Sequence, residues 1–144
     1  MSQLDGNVKS VPEPRDAQAI QNLLYAYAKY TDAGEREPLA TLFTDDAVWN
    51  GDELGFGSAT GPDAIVALVT GHHDPTQPMM HLPGPAALTC LDDGTVRAEL
   101  WCLATRWVGG AVNPHIHFKY TDVVQRTGDR WQFAARTLHR VAPA

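Results

Sequence analysis

The stretch from Val96 to Val108 constrains the fold most, because its side chains alternate with a period of two. One set is small and apolar, whereas the other mixes charged residues with Trp101 and Leu103. This period is typical of a strand that buries one face of a sheet. Two more strand-like segments follow after glycine-containing turns, at His115–Arg126 and Trp131–Val141. We therefore predict an antiparallel meander for the second half of the chain.

The first half has the period of helices instead. Between Asp16 and Gly34, apolar residues recur every three or four positions, which predicts an amphipathic helix. Shorter helices are expected at Glu35–Phe43 and Gly61–Gly71, with a strand that begins at Ala47 between them. Helices followed by antiparallel strands predict an α+β fold in which the helices cover one face of the sheet.

Two features of the middle of the chain complete this outline. An extended segment from Met79 to Leu88 carries His81, and the pair Asp93-Gly94 is a hairpin signal just before the alternating strand. The glycine- and acid-rich stretch 51–61 predicts a loop near a pocket mouth.

The composition narrows the class of protein. A chain of 144 residues predicts one domain, placed at residues 15–142 after a flexible arm at residues 1–14. The formal net charge of −6 argues against nucleic acid or an anionic membrane as partner. No signal peptide or membrane span is evident, and Cys90 and Cys102 are expected to be reduced core thiols. These features indicate a cytoplasmic protein.

Asp32 is the residue that a purely structural interpretation explains least. It lies at the edge of the apolar stripe in the last helical turn, where the helix dipole disfavours a negative charge. A carboxylate at that place needs a partner or a function. The alternative is a solvated surface acid or a cap for the following turn.

Five segments in order resemble the SnoaL-like group of the nuclear transport factor 2-like superfamily: LLYAYAKYTDAGE, LFTDDAVW, GPDAIVAL, MMHLPGPAA and FKYTDVVQRTGDRWQFAAR. The resemblance covers Arg15 to Arg140. It implies a cone-shaped α+β barrel, with three N-terminal helices packed on a curved, mostly antiparallel sheet. Within the superfamily the chain is most similar to the branch with scytalone dehydratase, hexachlorocyclohexane dehydrochlorinase and bile-acid 7α-dehydratase.

That branch implies a catalytic pair of Asp32 and His81, since its enzymes carry an acid at the end of the first long helix and a histidine on the strand after the third. Arg136 matches an active-site arginine of the dehydrochlorinase, and Tyr27 lies where that enzyme has a lysine. Tyr120 corresponds to a pocket-facing polar position of scytalone dehydratase. The second histidine of scytalone dehydratase and a strand acid of the bile-acid enzyme have no counterpart within 102–106.

The pair suits proton abstraction. A neutral imidazole is a good general base, and a carboxylate on its other nitrogen fixes the tautomer and stabilises the imidazolium. The resemblance therefore implies a small cofactor-independent lyase or isomerase, dehydratase-like, that acts on a hydrophobic cyclic, polyketide- or steroid-like substrate. Arg136 or a tyrosine hydroxyl would stabilise an enolate or a leaving group. The expected apolar pocket is lined by Tyr27, Trp49, Leu100, Phe118 and Tyr120.

The remaining histidines are assigned no catalytic role. His72 and His73 lie in a loop and are expected to be solvated, with an accessory role at the pocket mouth as the alternative. His115 and His117 share the strand face opposite the pocket, and no further ligands complete a metal site. We therefore expect neither a metal nor a cofactor.

Two other functions are compatible with this fold, and the sequence also predicts an oligomeric assembly. A ligand-binding or assembly subunit without catalysis shares this fold, which by itself does not decide function. An epoxide hydrolase would need acids and an Asn around a water, for which Asn50 and Asp52 are the nearby candidates. The outward strand face, with Trp101, Leu103 and His117, predicts a homo-oligomer, either a dimer or a trimer.

Overall fold

Three helices and seven strands make up the computed structural model, which describes residues 10–143. The helices are α1 (Pro14–Ala33), α2 (Arg36–Ala40) and α3 (Pro62–Val69). The strands are β1 (Phe43–Asn50), β2 (Ser58–Thr60), β3 (Met79–Pro83), β4 (Ala87–Cys90), β5 (Val96–Val108), β6 (Ala111–Thr127) and β7 (Arg130–Arg140). They form one curved mixed sheet that does not close, in the order β2-β1-β7-β6-β5-β3, with β4 paired to β5. The predicted cone-shaped α+β fold is confirmed.

The long helix α1 follows its sequence pattern closely. Pro14 occupies the first turn, where its missing N–H costs no hydrogen bond. Gly34 ends the helix with φ of 68°, and its N–H donates to the carbonyl of Thr31. A side chain at Gly34 would also meet the ring of His73, 2.9 Å from an added Cβ. The face buried against the sheet carries Ile20, Leu23, Leu24, Tyr27, Ala28 and Thr31.

The central strands confirm the predicted alternation. On β5 the small apolar set is buried, whereas Trp101 and Leu103 on the other face are exposed. Strands β5, β6 and β7 pair antiparallel in sequence order, as a meander requires. The turn at Asp93-Gly94 joins β4 to β5 as the hairpin signal predicted. The sheet therefore has an inner face toward α1 and an outer face toward solvent.

Element boundaries differ from the prediction by more than two residues at three places, one of which is β6, which begins at Ala111 instead of His115. The second helix ends at Ala40, and β1 already begins at Phe43 instead of Ala47. Phe43 pairs with Phe133 on β7, whose N–H donates to the Leu42 carbonyl at 2.8 Å, so strand pairing overrides the helical pattern. The extended segment expected at 79–88 is divided into β3 and β4, which pair with different parts of β5.

The ends of the chain add two facts. Of the predicted arm at 1–14, residues 1–9 lie outside the described part of the chain. Ser10 accepts a backbone hydrogen bond from Cys90 at 2.6 Å, and α1 begins at Pro14. Within residues 10–143, no helix combines the length and the apolar character that crossing a membrane requires.

Candidate active site

A cavity of about 480 Å³ opens between the inner face of the sheet, the end of α1 and the loop after α3. Its interior is mostly apolar and aromatic, as ligand sites commonly are. The apolar and aromatic lining consists of Tyr27, Trp49, Phe56, Leu68, Val69, Met79, Ile116, Phe118, Tyr120 and Leu138. The polar lining consists of Thr31, His72, Asp74, Gln77, His81, Arg106 and His115.

Asp32 and His81 are hydrogen-bonded at the wall of this cavity. The Nδ1 atom of His81 lies 2.6 Å from Oδ1 of Asp32, and the backbone N–H of His81 donates to Oδ2 at 2.7 Å. Both carboxylate oxygens are therefore engaged by one residue, which offsets the unfavourable position of Asp32 at the helix end. The side chains are 14% exposed for His81 and 18% for Asp32.

This contact sets the tautomer of the neutral imidazole. A carboxylate can only accept when it is ionised, so Nδ1 carries the proton in the neutral ring. Nε2 is then the basic nitrogen, and the structure shows no hydrogen bond to it from residues 10–143. The register of β3 places His81 opposite Ala104 of β5, a side chain too small to block the cavity at that level.

Two hydroxyls on α1, those of Tyr27 and Thr31, line the same cavity as His81. Trp49 Nε1 donates to the Tyr27 hydroxyl at 3.0 Å, so the Tyr27 oxygen is the acceptor there and its own proton is directed elsewhere. Burial raises the pKa of Tyr27, while Arg136 nearby opposes the shift, and the phenol stays protonated at neutral pH. Thr31, one turn later, is buried, and its Oγ1 has no hydrogen-bond partner within the described residues. Both line the cavity.

Arg136 lies behind the lining. It is 1% exposed and forms two hydrogen bonds with Asp122, Nε to Oδ1 at 2.8 Å and Nη2 to Oδ2 at 3.0 Å. Its guanidinium lies 3.5 Å from the ring centroid of Tyr120 and 4.2 Å from that of Tyr27. Burial raises the pKa of Asp122, and Arg136 opposes that shift. Burial lowers the pKa of Arg136, but the Asp122 carboxylate and the neighbouring tyrosines outweigh it, so the pKa of Arg136 is raised. The arginine therefore supports the two tyrosine rings from behind the lining.

The other predicted pocket residues fall into two groups. Trp49, Phe118 and Tyr120 line the cavity together with Tyr27. Leu100, 2% exposed, belongs to the core and is absent from the lining. The signal for Thr31, which the prediction missed, was present: it lies one helical turn after Tyr27 on the same face.

The prediction that His115 lies on the strand face opposite the pocket was wrong. Strand pairing shifts between Ala104 and Thr105, where Ala104 pairs with Ile116 but Thr105 pairs with Pro114. His115 is the extra residue of this bulge, which turns its side chain to the cavity. His117 stays on the outer face and contacts the Val141 carbonyl through Nε2 at 3.1 Å. Across residues 10–143, no three His, Cys, Asp or Glu side chains form a group that could hold a metal ion.

Asn50 and Asp52, the residues considered for an epoxide hydrolase, form a hydrogen bond within the loop after β1. Asn50 Oδ1 accepts from the backbone N–H of Asp52 at 3.0 Å and from Ser58 Oγ at 3.2 Å. Neither Asn50 nor Asp52 lines the cavity. Their side chains are therefore not placed to hold a catalytic water inside the cavity, as an epoxide hydrolase would require.

The sequence matches the family model described as the SnoaL-like domain over residues 12–137. The chain belongs to the SnoaL-like domain family. The resemblance inferred from its motifs is thereby confirmed. A comparison of this SnoaL-like protein with curated proteins found no match.

Solved structures agree with this SnoaL-like fold. A nuclear transport factor 2-like protein with a cystatin-like fold from Novosphingobium aromaticivorans is 27% identical, with TM-score 0.75 over 86% of this chain and 80% of that one. A candidate scytalone dehydratase from the same organism is 22% identical, with TM-score 0.74 over 88% and 85%. A candidate beta subunit of an aromatic-ring-hydroxylating dioxygenase, also from N. aromaticivorans, is 20% identical, with TM-score 0.73 over 90% and 92%.

Proposed function

We propose that this protein is a cofactor-independent lyase or isomerase of the dehydratase kind, with Asp32 and His81 as its general base. The hydrogen-bonded pair at the wall of a large apolar cavity is the observation that carries the proposal. The SnoaL-like family includes polyketide cyclases and dehydratases, which supports it at the level of the family.

Proton abstraction follows from the geometry of the pair. Nε2 of His81 takes a proton from a carbon next to a carbonyl, and Asp32 stabilises the imidazolium that results. The imidazolium then returns its proton to a departing hydroxyl, which gives water loss, or to another carbon, which gives isomerisation. General base catalysis of this kind contributes about 10²–10⁴-fold to the rate.

The developing negative charge needs a donor, and the contacts favour Tyr27 over Arg136. The Tyr27 hydroxyl already accepts from Trp49, so its proton is available to a substrate oxygen, and Thr31 offers a second hydroxyl one turn away. Arg136 is neutralised by Asp122 and lies behind the lining. We assign Tyr27 as the hydrogen-bond donor and Arg136 as the residue that holds its ring.

The cavity favours a cyclic, hydrophobic substrate of the polyketide or steroid kind. A space of about 480 Å³ is within the range of sites for drug-sized ligands. Aromatic side chains around it, among them Trp49 and Phe118, offer flat surfaces to fused rings.

The free thiols Cys90 and Cys102 support a reducing, cytoplasmic location.

A homo-oligomer remains our proposal for the assembly. Trp101 on the outer face is 62% exposed, and Met80, Leu82 and Leu103 on the same face are exposed as well. In a monomer so much clustered apolar surface faces water at a cost in free energy. A dimer or a trimer would cover it.

The pair of Asp32 and His81, called the dyad below, is tested by measuring turnover in two single variants and in the double variant. A screen of cyclic ketols, hydroxy-steroids and polyketide-like compounds for water loss supplies the substrate. Asp32→Asn and His81→Ala should each abolish the reaction, and the double variant should be little worse, because the two residues act as one unit. Asp129→Asn in an exposed turn and His117→Ala on the outer face serve as matched controls. Full activity in either dyad variant would refute the proposal.

A further inference from the structure

We infer that the mouth of the cavity is a binding subsite for a carboxylate on the substrate, formed by Arg106 with His115 beside it. The inference rests on the proposed function, since it names the class of molecule that the same cavity takes. Under it, the ligand is a hydrophobic cyclic acid whose carboxylate lies at the mouth and whose reacting carbon lies near His81.

Arg106 has the position that this role requires. It continues the inner-face set of β5, two residues beyond Ala104, and its side chain lines the cavity. On β3, its pairing partner Met79 is two residues from His81, so Arg106 lies one step of about 7 Å closer to the opening. A molecule spanning both residues is therefore the size of a fused ring system with a substituent.

The guanidinium is free to take an anion. Its Nη1 donates to the backbone carbonyl of Gln77 at 3.3 Å, which leaves most of its N–H groups unused. No carboxylate of residues 10–143 forms an ion pair with it. An unpaired arginine at the edge of an apolar cavity is suited to bidentate recognition of a carboxylate.

Two histidines and one acid lie near Arg106 on the lining of the cavity. The bulge at Ala104/Thr105 brings His115 to the mouth, and His72 lies on the lining as well. Asp74 is the acid in this part of the lining. Its Oδ1 accepts from both the backbone N–H and the hydroxyl of Thr76, which lowers its pKa, and the charge of Arg106 lowers that pKa further. A substrate carboxylate would therefore compete with Asp74 for the guanidinium. Solvent at the mouth screens the remaining charge of Asp74.

Equilibrium binding of two probes of equal shape tests the inference without any turnover. The probes are 2-naphthoate and its neutral counterpart 2-naphthamide, titrated calorimetrically into the full-length protein at pH 7.5. We expect the acid to bind about tenfold or more tightly than the amide, as a charge-assisted hydrogen bond provides. Arg106→Gln should bring the two affinities within about twofold while leaving the affinity for the amide unchanged.

Two further variants sharpen the result. Arg97→Gln, on the outer face of the same strand, should keep the wild-type preference, and Arg106→Lys should keep part of it because the charge remains without the planar fork. Equal affinities in the wild type, no binding of naphthoate at millimolar concentration, or a preference that survives Arg106→Gln would each overturn the inference. The anion preference does not depend on the dyad, so a failed turnover test and a failed binding test are distinguishable.

Discussion

The buried pair of Arg136 and Asp122 lends itself to a double-mutant cycle. Arg136→Met leaves a carboxyl group that is 0% exposed without either of its two hydrogen bonds to the guanidinium. Asp122→Val leaves an arginine cation that is 1% exposed among the rings of Tyr27, Tyr120 and Phe133. Breaking one side of a buried ion pair costs about 3–5 kcal/mol.

The double variant should behave differently. Replacing both partners with apolar side chains removes the charges together, and such replacements are often neutral or stabilising. We expect the double variant to lose less stability than either single variant, which corresponds to a coupling energy of several kcal/mol. For a domain of this size, the single variants should lower Tm by about 10 °C.

Urea denaturation, followed by tryptophan fluorescence, measures all four free energies of unfolding. Single variants that each cost less than about 1 kcal/mol, or a double variant whose loss is the sum of both, would refute the reasoning. Either outcome would mean that Arg136 and Asp122 do not stabilise the fold as a coupled, buried ion pair.

The pH dependence of Arg136→Met follows from the same pair. Without the guanidinium, burial acts on Asp122 unopposed and raises its folded-state pKa further above that of an ordinary aspartate. A raised pKa means that the folded state binds more protons than the unfolded state, so stability falls as pH rises through the folded pKa. The deficit against wild type should therefore be smaller at pH 5 than at pH 8.

Two remaining predictions concern the outer face and the proposed donor. Trp101→Glu should dissociate the homo-oligomer and leave the cavity intact, which sedimentation velocity measures; a wild-type monomer at micromolar concentration would remove the interface. Tyr27→Phe should lower kcat about 10²–10³-fold on a discovered substrate, as loss of a donor to a developing oxyanion does. An unchanged kcat in Tyr27→Phe would mean that another group, such as Thr31, supplies the donor.

Much of the fold could be predicted because its signals are local. The alternation along Val96–Val108 determined which side chains face inward, and the helical period determined the buried face of α1. The location of Asp32 in the last turn indicated that a partner was needed, and the motif order pointed to His81. The two periods depend on the spacing of residues close in sequence, whereas the pairing of Asp32 with His81, 49 residues apart, was implied by the resemblance to the family.

The tertiary structure alone decided which side chains face the cavity at its edges. His115 reaches the mouth because of a bulge, and a bulge depends on the register between two strands. Arg136 is enclosed because Asp122 on the neighbouring strand neutralises it. Phe43 begins a strand because Phe133, distant in sequence, pairs with it. Such contacts join residues far apart in the chain, so the local periodicity of the sequence does not predict them.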